Sequence, residues 1–134
     1  MPTHNISMTC IANEDIDLYA AVKIVREENP TDGLPAVEMT DTATDIVFGI
    51  CMNAARAGEL VTVRNPFSGI LPAYAYINVE PGDRLTLGLS RPGSFSNNTD
   101  AQYSRSIAYV MQIGDSSDTE ETRCAIIFTR AYYV

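Results

Sequence analysis

The chain has no tryptophan, one histidine and a single lysine, and each scarcity removes a class of function. With His4 alone near the N-terminus, no Ser–His or Cys–His pair has a credible general base, so no enzyme is expected. No Cys-x-x-Cys pair exists beside that histidine, so no ordinary zinc site can be assembled and no metal or cofactor is expected. Cysteine is sparse as well: Cys10, Cys51 and Cys124 are odd in number, far apart and each set in an apolar run. That pattern predicts reduced core thiols, not a disulfide framework. Lys23 and eight scattered arginines face 17 acidic residues, a net charge of −8. Such a balance repels phosphate backbones, and nucleic acid is not an expected partner. No apolar run approaches the ~18 residues of a membrane span, and residues 1–8 lack the basic and apolar regions of a secretory signal. A protein made and used in solution is expected, with no membrane partner.

What is present is a series of short apolar runs broken by turn residues. Its 134 residues, 46% of them apolar, suit one domain with its own core. Enrichment in β-branched and aromatic residues predicts strands over residues 8–12, 20–25, 46–52, 60–64, 85–89, 106–113 and 123–133. Leu85, Leu87 and Leu89 share one face; Ile107, Tyr109, Met111 and Ile113 share another. Ile46-Val-Phe-Gly-Ile-Cys-Met52 is apolar on both faces, as in a central strand or a rolled barrel wall, and Gly49 within it permits a bulge or bend. Breakers such as Asn29-Pro-Thr-Asp-Gly33, Pro66-Phe-Ser-Gly69, Pro81-Gly-Asp83 and Arg91-Pro-Gly93 separate the runs. Helical periodicity is confined to one or two turns over residues 71–78. The expected fold is mainly β, a small β-barrel or β-sandwich with at most one short helix and no internal repeat. Residues 1–7 read as an arm, 94–104 as a polar surface loop, and 129–134 as an apolar docking tail.

The carboxylates offer little chemistry. Asp15 and Asp17 could project to one side of an extended segment, yet Glu14-Asp15-Ile16-Asp17 reads equally as a solvated acidic loop. Asp115, Asp118, Glu120 and Glu121 cluster without the spacing of a calcium loop. Arg56-Ala-Gly and Pro81-Gly-Asp hold too few glycines to cradle phosphate. The seven tyrosines, with the pairs Tyr74/Tyr76 and Tyr132/Tyr133, suit surfaces half-buried against partners or the roof of a small barrel.

The middle of the chain resembles the small capsid decoration, or cement, proteins of tailed bacteriophages. The likeness rests on Ile46-Val-Phe-Gly-Ile-Cys-Met-Asn-Ala-Ala-Arg-Ala-Gly-Glu-Leu-Val-Thr-Val63, on Gly69-Ile-Leu71, and on Gly82-Asp-Arg-Leu-Thr-Leu87. The Ala-rich stretch 73–79, Gly93-Ser-Phe95 and Ala21-Val-Lys-Ile24 complete it, over residues 20–95. Residues 97–134 form an extension beyond the pattern. The resemblance implies a virion structural protein on the outer capsid surface, assembled in the host cytoplasm. Its partner would be the major capsid protein, and a homotrimer would stabilise the expanded head without catalytic residues. Partner contact is expected from the aromatics Phe67, Phe95, Tyr132 and Tyr133. The alternative is a receptor-facing or carbohydrate-binding virion module, such as a head-fibre base, with Phe95 and Tyr103 stacking on sugar.

Overall fold

Leu60-Val-Thr-Val-Arg64 shows how the sequence writes its strands: Val61 and Val63 are buried while Leu60 and Thr62 face solvent. The computed structural model describes residues 7–26, 33–42, 44–76, 79–88, 91–97, 106–116 and 121–129. Among them are ten strands and no helix. These are β1 (Ser7–Ala12), β2 (Ala21–Val25), β3 (Ala36–Met39), β4 (Gly49–Cys51), β5 (Leu60–Arg64), β6 (Ile70–Tyr76), β7 (Arg84–Leu87), β8 (Phe95–Asn97), β9 (Ala108–Ser116) and β10 (Glu121–Phe128).

The strands close into two five-stranded barrels with the same wiring. In the first the order is β1-β3-β2-β4-β5, and β5 returns antiparallel to β1. In the second, read from β6, it is β6-β8-β7-β9-β10, with β10 returning antiparallel to β6. One parallel pair occurs in each, β1 with β3 and β6 with β8. The sequence shows no internal repeat, but the topology repeats strand for strand. Closure leaves neither barrel with a free sheet edge.

The two barrels share a wall. Alternate residues of β2 and β4 point into opposite cores: Ala21 and Ile50 join the second core, Val22 and Cys51 the first. This is why residues 46–52 are apolar on both faces. Gly49 lies opposite Val22, and its backbone runs so close to Arg64 and Val63 that a Cβ would overlap both. The gap is filled by the neighbouring strand, so the glycine serves close approach rather than a bend. Burying a side chain such as Ile50 or Leu71 stabilises the fold by roughly 1.5–3 kcal/mol each. Cys10 and Cys51 pack in the first core and Cys124 in the second, all three buried and unbridged. Burial pushes the Cys51 and Cys124 thiols up to about 11.

Three expectations are corrected. The segment 71–78, read as one or two helical turns, contains most of β6, whose Leu71, Ala73 and Ala75 alternate into the core. Alanine has no strong strand preference, so tertiary pairing with β10 decides the outcome. The loop 94–104 begins with a strand, β8, because Phe95 is needed in the core. The stretch 97–134, read as an extension beyond the pattern, includes β9 and β10, two of the five staves of the second barrel. The arm residues 1–6 and tail residues 130–134 lie outside the described residues.

Candidate functional site

Two surface features bring polar or aromatic side chains together, one at the junction of the barrels and one on the first barrel. The junction begins with a strained turn. Tyr19 is the one non-glycine among the described residues with positive φ, at 62°. Left-handed backbone there opposes folding by roughly 1–2 kcal/mol, so its surroundings must hold it. They do so from both sides. Ile16 and Ala55 exchange backbone hydrogen bonds of 2.7 and 3.0 Å. The Tyr19 N–H donates to the Cys51 carbonyl at 3.1 Å, and the Ala20 N–H donates to Cys51 Sγ at 3.2 Å. The Cys51 thiol in turn donates to the Asp17 carbonyl at 2.7 Å.

The turn so held sends the Tyr19 ring toward the second barrel. There it lies 6.3 Å from the Tyr74 ring on β6, and the Arg123 guanidinium of β10 sits 5.0 Å above its centroid. Beside it, Arg91 pairs with Asp17 at 3.2 Å, with side chains 49% and 56% exposed. Gly93 completes the joint. The Ala21 N–H donates to its carbonyl and its own N–H donates to the Thr40 carbonyl, both at 2.8 Å. Its φ is 78°, and a Cβ there would stand 2.6 Å from that of Ala20. Asp17, Ala20, Tyr74, Arg91, Pro92 and Gly93 thereby line a cleft of about 380 Å³ between the barrels.

The second feature is a groove of about 620 Å³ on the first barrel, lined by Ile24, Ile46, Phe67 and the Lys23–Asp45 pair. Ile24, Ile46 and Phe67 are 55%, 66% and 59% exposed, an unusual concentration of solvent-facing apolar side chains. Phe67 is presented by a turn in which the Asn65 side chain accepts its N–H at 2.8 Å. At the rim, Lys23 Nζ lies 2.6 Å from Asp41 and 3.3 Å from Asp45. Burial of Asp45 opposes its ionisation. The N–H groups of Asp41 and Thr42, the Thr42 hydroxyl and Lys23 outweigh that and hold its carboxyl at about 2.

Of the expected contact aromatics, Phe67 is on this exposed groove. Phe95 is not available: it is fully buried, 5.8 Å from Phe128 in an edge-to-face pair. Phe95 therefore makes no partner or sugar contact, since the second core claims its ring. Tyr132, Tyr133 and Tyr103 lie outside the described residues. Asp15 and Asp17 do not act as a pair: Asp15 accepts the Ala57 N–H at 3.0 Å, and Asp17 turns to Arg91. Asp118 and Glu120 lie outside the described residues, and no group of three His, Cys, Asp or Glu comes together among those described. The junction cleft was missed from sequence because its parts are 74 positions apart, as Asp17 and Arg91 are. Each had a separate local signal: an acidic loop, a tyrosine pair and an Arg-Pro-Gly breaker.

Fold and sites together define a protein of two like-wired five-stranded β-barrels, joined through a shared wall with a cleft at the seam. This architecture is similar to the crystal structure of the head fiber gp8.5 N base of bacteriophage phi29. The match has a TM-score of 0.65 and 17% identity, and covers 98% of each chain. At that identity the likeness establishes a common fold. No protein-family profile matches the chain, and comparison with curated protein sequences finds no match. The motifs resembling decoration proteins have a local cause. In Arg56-Ala-Gly-Glu59 and Glu80-Pro-Gly-Asp83, the last side chain accepts the N–H of the first residue, at 2.7 and 2.8 Å. The resembling span runs from β2 to β8 and cuts both barrels, so it follows turn chemistry more than a unit of structure.

Proposed function

We propose that the chain is a structural protein of a phage virion that seats on the outside of the head, as the base of a head fibre. The observation that carries this reading is the agreement in fold with the phi29 head fiber N base over 98% of both chains. Two barrels in the same arrangement are a more demanding match than one small barrel, which unrelated proteins reach readily. The docking face is the groove of Ile24, Ile46 and Phe67, an apolar patch rimmed by charge, and the partner is the major capsid protein. A trimer would multiply a modest contact, since linked sites bind in concert. This reading assigns no catalytic residue.

A second reading, capsid cementing, rests on the sequence resemblance to decoration proteins over residues 20–95, although its turn motifs also have a local cause. The two differ in what binding does to the head. A cement binds the expanded shell in preference to the unexpanded one and stabilises it by mass action. A fibre base needs only a seat. Purified protein added to heads lacking it should bind saturably at symmetry-related sites visible by electron cryomicroscopy. Unchanged thermal release of DNA would assign a fibre base, and raised release temperature a cement. No saturable binding to heads would end both.

A further inference from the structure

The junction cleft is unused by a head-docking role, and its chemistry is selective. Its volume of about 380 Å³ lies in the range of small-ligand sites, ~300–1,000 Å³. One wall is Tyr74, whose ring lies 6.3 Å from that of Tyr19. The other carries a carboxylate and a guanidinium side by side, Asp17 and Arg91, each about half exposed. A carboxylate accepts only and a guanidinium donates only, so the pair matches neighbouring groups that both donate and accept, namely adjacent hydroxyls. Charge decides further. An anion would meet Asp17 and a chain of net charge −8, and a cation would meet Arg91. A wholly apolar ligand would desolvate the ion pair without replacing its water. What remains is a neutral molecule with hydroxyls on its edge and an apolar face for an aromatic ring.

We propose that the cleft between the barrels binds a neutral pyranose unit of a glycan, stacked on Tyr74 with adjacent hydroxyls on Asp17 and Arg91. The strained turn at Tyr19 and the close joint at Gly93 fix the site in advance, which lowers the ordering that binding requires. The inference stands independently of head docking, because neither the groove nor its residues take part.

The test is a titration of the full chain, followed by amide correlation spectra, with the methyl glycosides of glucose, galactose, mannose and N-acetylglucosamine in turn. At least one should give saturable shifts confined to residues 17–20, 74 and 91–94, with affinity in the millimolar range or tighter. Asp17→Asn, a near-isosteric surface change, should weaken that sugar about tenfold, and Tyr74→Ala should weaken it at least as much, with spectra elsewhere unchanged. The proposal is overturned if none of the four sugars shifts the cleft. It is equally overturned if Asp17→Asn binds like the native chain, or if inorganic phosphate binds the cleft more tightly than every sugar.

Discussion

The two barrels are wired alike and furnished differently. Each parallel strand pair sets an alanine opposite a larger core residue: Ala12 opposite Val37 in the first, Ala75 opposite Phe95 in the second. The first core is built from cysteine, alanine, valine and Ile16, the second from Leu71, Leu85, Leu87, Ile107, Phe95 and Phe128. The second barrel also borrows Ala21, Val47 and Ile50 from the first. Its closing hairpin is long, nine residues of β9 and eight of β10, with a bulge at Met111, which lies between the partners of Ala125 and Ile126. The corresponding β4 and β5 are three and five residues. Strand order is therefore indifferent to core volume, provided alternation and closure are kept. Bulk sits in the second barrel. The first carries the strained turn and the exposed groove.

If the second barrel holds most of the packing energy, matched truncations should separate the two. Phe95→Ala should destabilise by about 3–5 kcal/mol, because Ala75 opposite it cannot fill the void. Val37→Ala, its counterpart in the first barrel, should lose about 2 kcal/mol. Equilibrium urea unfolding of both variants checks the order, and equal losses would break the comparison. A substitution at the seam should couple the barrels. Gly93→Ala adds a left-handed penalty of roughly 1–2 kcal/mol to an overlap with Ala20. It should lower the stability of both barrels together in native-state hydrogen exchange, whereas an effect confined to β8 would show them independent.

Much of this was legible in the sequence. Val61 and Val63, or Leu85 and Leu87, announce strands because one face of each is buried and the other wet. The double-sided run 46–52 announced a wall, though only the second core reveals why. β3 and β6 were hidden by Ala36, Ala73 and Ala75, small residues that pack against large partners and carry little preference of their own. Phe95 misled because a polar stretch follows it, and periodicity over three residues says nothing of burial. The cleft was hidden for a different reason: its residues meet only when two barrels close against each other.

The smallest expected effect concerns pH and belongs to the first barrel. The Asp45 carboxyl is held at about 2, below its ordinary 3.8, so folding favours its ionised form. Its contribution is complete above about pH 4 and is lost as pH falls through 2. Asp45→Asn should reduce stability at neutral pH by around 1 kcal/mol, the net worth of a hydrogen-bonded turn staple, and flatten the native loss between pH 4 and 2. Thermal melts across that window check it, and an unaltered acid slope in Asp45→Asn would show that other carboxyls govern acid stability.

The claim that matters most is that the exposed groove of the first barrel is the seat on the phage head. Phe67→Asp tests it most directly, because the side chain is 59% exposed and lies outside both cores. Native and variant protein would be titrated onto heads lacking the protein, with bound protein counted after sedimentation. The account predicts saturable binding by the native chain and affinity at least ~10-fold weaker in Phe67→Asp, about 1.4 kcal/mol, with an unchanged melting temperature. Saturable binding of equal strength by both proteins would contradict it and move the docking surface elsewhere on the molecule.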